Sequence, residues 1–75
     1  MNLEMIAFKS RLIAAIADVD TREVQRMVED GKERGLINTG QENETSRRGL
    51  HLYNLPGKEA REYACEFILW VQENI

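Results

Sequence analysis

The sequence predicts a small, mainly α domain with one β-hairpin, in the order α-α-β-β-α, and three observations carry that reading. Apolar side chains recur at three- and four-residue spacing near both ends of the chain and again in residues 21–34. A glycine, Gly35, stands where the middle helix should stop. Beyond it the helical spacing fades, and two short apolar runs flank a polar stretch rich in turn formers.

The first helix is expected over residues 2–17. Met5, Phe8, Leu12, Ala15, Ile16 and Val19 form one stripe, which Leu3, Ile6 and Ile13 widen, while Lys9, Ser10 and Arg11 take the other side. So wide an apolar face needs more than one partner. Asp18-Val19-Asp20 is a short break. The second helix starts near Thr21, where Asp20 and Glu23 have capping-box spacing, and buries the narrow stripe Val24, Met27, Val28 and Gly31. It ends near Arg34, because Gly35 suits the left-handed backbone of a helix end and Leu36 can fold back onto the last turn.

Leu36-Ile37 and residues 50–55 are the candidate strands, the second alternating Leu50 and Leu52 with His51 and Asn54. Residues 38–49 between them hold no large apolar side chain and read as an exposed, mobile hairpin tip. Pro56-Gly57 closes the second strand. The last helix, residues 58–74, is the most apolar: Ala60, Tyr63, Ala64, Phe67, Ile68, Val71 and Ile75 line one side, and Cys65, Leu69 and Trp70 extend it. Either Leu69 and Trp70 complete the core, or the first and last helices carry their surplus into a homodimer.

At 75 residues the chain makes one domain, residues 1–75, with a small core. Its 43% hydrophobic and 31% charged residues are ordinary for a folded protein. A lone cysteine, Cys65, has no internal partner for a disulfide, and neither a secretory signal nor a membrane-length apolar run occurs, so the expected setting is the cytoplasm. The net charge of −3 argues against a wholly basic nucleic-acid footprint. Arg47-Arg48, with Lys32, Arg34 and His51 near in sequence, is the main basic concentration.

Residues 21–63 present Glu33-Arg34-Gly35-Leu36-Ile37, then Glu44-Thr45-Ser46-Arg47-Arg48, then residues 50–55 and Gly57-Lys58-Glu59. That order resembles the recognition helix, wing and following helix of winged-helix transcription regulators, most nearly the MarR type. The resemblance implies a winged-helix-like fold and double-stranded DNA as ligand, with Arg22 and Arg26 approaching the major groove and Arg47 and Arg48 the phosphates or minor groove. It covers a little over half of the chain.

Catalytic and metal chemistry find little in the sequence. His51 and Cys65 lie on different elements with no third group to orient them, and Cys65 reads as a buried structural residue. Asp18, Asp20 and Glu29 match three positions of a calcium loop, but Arg22 and Glu23 occupy a ligand position and the turn glycine position. No cofactor or metal is expected. The alternative to DNA is a small acidic module of the kind phages and mobile elements use, docking through Glu59, Glu62 and Glu66, with Leu69 and Trp70, or through the loop over residues 41–48, on a basic surface of a host nucleic-acid machine.

Overall fold

In a computed structural model of the chain, which describes residues 2–75, four helices follow one another: α1 (Leu3–Ala17), α2 (Thr21–Glu33), α3 (Thr39–Asn54) and α4 (Gly57–Asn74). Among the described residues there is no strand, so the expected α-α-β-β-α order with a winged-helix-like hairpin is wrong. The hairpin region is the helix α3. Leu36-Ile37 belongs to the connector before it, and the exposed tip over residues 38–49 is its first two-thirds.

The reason lies in how α3 is held. Asn38 Oδ1 accepts from the Gln41 amide at 2.8 Å while Gln41 Oε1 accepts from the Asn38 amide at 2.9 Å, a complete capping box. Glu44 then pairs with Arg47 and Arg48 one turn on. The buried positions Thr45, Gly49 and Leu52 recur at helical spacing, but only one of them is a large apolar residue. Thr45 is fully buried and its hydroxyl donates to the Gln41 carbonyl at 2.6 Å, so its polar atom goes inside already partnered. A hairpin here would have left the stripes of α2 and α4 without a facing wall.

The other helices follow the sequence closely. Asn2 caps α1 and Asp20 caps α2. At the end of α2, Gly35 takes φ 73° and the Leu36 amide donates to Gly31 O at 2.8 Å, the Schellman geometry expected there. The end of α1 has the same hydrogen-bond pattern, with Val19 N–H to Ile16 O and Asp20 N–H to Ala15 O, each 2.9 Å. The left-handed seat, however, is filled by Val19 at φ 54°, a conformation that costs a β-branched residue about 1–2 kcal/mol.

The helices run alternately up and down, α1 and α3 each packing against both α2 and α4. Ion pairing of Glu4 with Arg34 joins the start of α1 to the end of α2, and Gln41 Nε2 donates to Asn74 O to join the start of α3 to the end of α4. Phe8, Leu12, Ile16, Val24, Val28, Leu52, Phe67 and Val71 fill the centre, each almost wholly shielded from solvent. Leu3 and Ile6, which widen the apolar stripe of α1, and Leu69, one of the two residues offered either to the core or to a dimer, are exposed.

Candidate functional site

The site begins with small residues on α3. Gly49 faces α2, where an added Cβ would lie 3.4 Å from Val24 Cγ1, and Ser46 sits one turn earlier on the same side. Over Val24 and Gly49, where the two helices come close, the side chains of α2 and α3 leave an open cleft of about 700 Å3. Arg22, Gln25, Arg26 and Glu29 form the α2 wall; Ser46, Leu50 and Tyr53 form the α3 wall, and Val19 and Asp20 close one end.

Leu50 and Tyr53 define the character of the cleft. They are 63% and 70% exposed, three residues apart on the same side of α3, and are two of the five exposed large apolar side chains among the described residues. Tyr and Arg side by side, around a desolvated apolar floor, is the composition of interface hot spots. The strained Val19 lies at the same cleft, and outliers of that kind concentrate at functional sites.

The four arginines expected to touch DNA do not form one patch. Arg22 reaches the cleft and makes no ion pair among the described residues. Arg26, also at the cleft, is held by the Glu23 carboxylate, and its hydrogen bond keeps Glu23 below its ordinary pKa of 4.5. Arg47 is held in the same way by Glu44, whose carboxyl it lowers, and is exposed to solvent. Arg48 turns to the other side of α3, where its guanidinium lies 4.9 Å from the Trp70 ring centre and near the Tyr63 hydroxyl. Its Nε is 2.8 Å from Glu44 Oε2 but misaligned for a hydrogen bond, so that contact is a charge pair.

The predicted protein-binding residues divide similarly. Glu59, Glu62 and Glu66 are exposed on α4, away from the cleft, and none is in an ion pair among the described residues. Leu69, 57% exposed, stands beside them. Trp70 is half-buried under Arg48, a core-edge residue that joins α3 to α4.

Cys65, expected to be buried, is exposed, because Ala64 and Phe67 turn inward and leave the residue between them on the outer flank. His51 is exposed too, its ring edge-on to Tyr63 at 4.6 Å, and it does not meet Cys65. No group of three or more His, Cys, Asp or Glu among the described residues has the spacing to hold a metal ion. No helix of the described residues is long and apolar enough to cross a membrane.

Sequence reasoning missed Leu50, Tyr53, Ser46 and Gly49 as site residues. The signal was present: Asn38 and Gln41 have capping-box spacing, and a helix begun there places Leu50 and Tyr53 together outside. Comparison of the chain with protein-family models, with curated proteins and with solved structures returned no match.

Proposed function

We propose that this chain is a non-catalytic protein-binding domain that receives an amphipathic helix of a partner protein in the α2–α3 cleft. The observation that carries the reading is the pair Leu50 and Tyr53, exposed side by side above the floor of Val24 and Gly49. From Arg22 to Glu29, and from Ser46 to Tyr53, each wall spans about two helical turns, or roughly 10 Å. That length matches the i, i+3/i+4, i+7 anchors of a helix lying in a groove. Arg22, in no ion pair among the described residues, asks for a carboxylate on the ligand.

The acidic face of α4 supports a second reading, in which Glu59, Glu62 and Glu66, none ion-paired among the described residues, meet a basic partner with Leu69 as the apolar contact. DNA binding has weaker support. A helix replaces the wing, and Arg48 is committed to Trp70 and Glu44.

A displayed library of helix-forming peptides, selected on the wild-type protein, tests the cleft. Enriched peptides should carry apolar residues at helical spacing and an acidic residue, and should shift the amide resonances of residues 22–29 and 46–53. The double variant Leu50→Asp, Tyr53→Asp removes two anchors, each contributing about 1.5–3 kcal/mol when fully covered, and should weaken binding by at least about 100-fold. Equal binding by that variant refutes the cleft. Shifts confined to α4 favour the acidic reading, and salt-sensitive binding of mixed-sequence duplex DNA would return the arginines to consideration.

A further inference from the structure

We infer that the partner's helix lies in the α2–α3 cleft with its carboxyl end toward Val19 and Tyr53, and that the chain beyond it enters a second cavity, where Arg61 takes an acidic side chain. The orientation rests on the proposed cleft and states what the partner carries: a helix followed, on its carboxyl side, by a short acidic segment.

The charges along the cleft set the direction. Arg22 and Glu29 stand on the α2 wall seven residues apart, which is two turns or roughly 10 Å. Neither is in an ion pair among the described residues, and Glu29 accepts only from the neutral Gln25 Nε2, at 3.4 Å. Arg26 between them is matched by Glu23, and the α3 wall of Ser46, Leu50 and Tyr53 carries no charge. Asp20, at the Arg22 end, is committed to the cap of α2, its Oδ1 accepting from the Glu23 amide at 3.1 Å. The cleft is therefore positive toward Val19 and negative at the far end. A helix presents unpartnered N–H groups and positive charge at its amino end, unpartnered carbonyls and negative charge at its carboxyl end. The favourable match sets the partner's last carbonyls at Arg22 and its first amides at Glu29.

A helix so placed leaves through the Val19–Tyr53 end, where the surface is already shaped. Val19, Thr21 and Tyr53 line both the cleft and an adjoining cavity of about 500 Å3 between the α1–α2 and α3–α4 turns. Leu52 and Ala60, both buried, give that cavity an apolar floor. Its charged residues are Arg61 and Asp18, and neither is in an ion pair among the described residues. The Arg61 guanidinium lies back along the first turn of α4, with Nη1 3.6 Å from where a Cβ on Gly57 would stand. Asp18, on the other turn, repels an acidic group toward the α4 side and so toward Arg61.

Spin labelling and anisotropy on the tightest amidated peptide from the displayed library test the direction and the tail. A nitroxide at the peptide's carboxyl end should broaden the amide resonances around Val19 and Tyr53, and one at its amino end those around Glu29 and Ser46. A Gly-Ser-Gly-Glu-amide tail on the carboxyl end should bind about 3- to 5-fold more tightly than a Gly-Ser-Gly-Gln-amide tail, as one exposed charge pair allows. Arg61→Gln, at an exposed position, should erase that difference with an unchanged circular-dichroism melt, and Asp18→Asn should widen it. The same tails on the amino end should bind alike. Broadening in the reverse order, equal binding of the two carboxyl-end tails, or a Glu preference that survives Arg61→Gln overturns the inference. Each of those results leaves the cleft standing so long as the peptide is still lost from the Leu50→Asp, Tyr53→Asp variant. A peptide indifferent to that variant takes down cleft and tail together.

Discussion

Replacing Gly31 by alanine tests the packing on which the rest of the molecule depends. Gly31 lies buried on α2 against Phe8 of α1, itself only 2% exposed. A Cβ at position 31 would sit 2.4 Å from Phe8 Cζ and 2.7 Å from Cε1, where ordinary contact needs about 3.5 Å or more. The ring must withdraw by about 1 Å into a core already close-packed, and overpacking of that kind costs about 1–3 kcal/mol. Alanine also stabilises a helix interior over glycine by about 1 kcal/mol. With the overlap this deep the clash wins, leaving a net loss of about 1–2 kcal/mol. For a domain of this size that is a fall in Tm of about 5–15 °C. The assay is a thermal melt followed by far-UV circular dichroism, beside Gly40→Ala as control. Gly40 is exposed in the first turn of α3, with only Asn38 Oδ1 near, at 3.4 Å, so the same substitution there should be neutral or stabilising. Adding Phe8→Leu to Gly31→Ala should recover about 1 kcal/mol of coupling. A Gly31→Ala protein that melts at or above the wild-type temperature would refute the reasoning.

Other perturbations address α3 and its contacts. Asn38→Ala removes half of the capping box and should cost about 1 kcal/mol, read as a lower urea midpoint; no change would mean that α3 does not depend on its cap. Trp70→Ala should lower the melting temperature through lost packing against Arg48, and sedimentation should show the oligomeric state unchanged, since Trp70 is turned toward α3. The hydrogen bonds of Arg26 and Arg47 depress the Glu23 and Glu44 carboxyls below 4.5, so those pairs stabilise the fold above that pH and are lost as pH falls through the lowered values. Helicity should hold from neutral pH to about 5 and decline below 4.5, whereas an NMR titration placing Glu44 at or above 4.5 would contradict the pairing.

Three helices were legible because their apolar residues are large and regularly spaced. Phe8, Leu12 and Ile16, or Val24, Met27 and Val28, announce a helical stripe without help. α3 was not legible, because its buried side consists of Thr45, Gly49 and Leu52, and hydrophobic periodicity does not register a threonine and a glycine. What remained visible was Leu50-His51-Leu52, and alternation over three residues imitates a strand. The two readings disagree about geometry: a strand puts Leu50 and Leu52 on one face, while a helix turns them about 200° apart. Leu52 is fully buried and Leu50 is 63% exposed, as the helix requires. The candidate site was half legible for the same reason. Arg22 and Arg26 were singled out and do line the cleft, but the residues opposite them could not be placed once their helix had been read as a hairpin.

The connector between α2 and α3 gives the cleft a stiff end. Gly35 reverses the chain, the Leu36 amide is tied back to Gly31, and Ile37, 4% exposed, is anchored in the core just before the cap of α3. Both walls are thereby set at that end before any ligand arrives, and what opening the cleft has must occur at the Val19–Tyr53 end, like a clothes-peg sprung at one side. For the helical partner proposed above, the encounter would then be close to rigid on this side, and its rate would depend mainly on how often the incoming segment is already helical. Stapling a peptide into its helix should therefore raise the association rate, while loosening the connector should leave a ligand that lets go sooner.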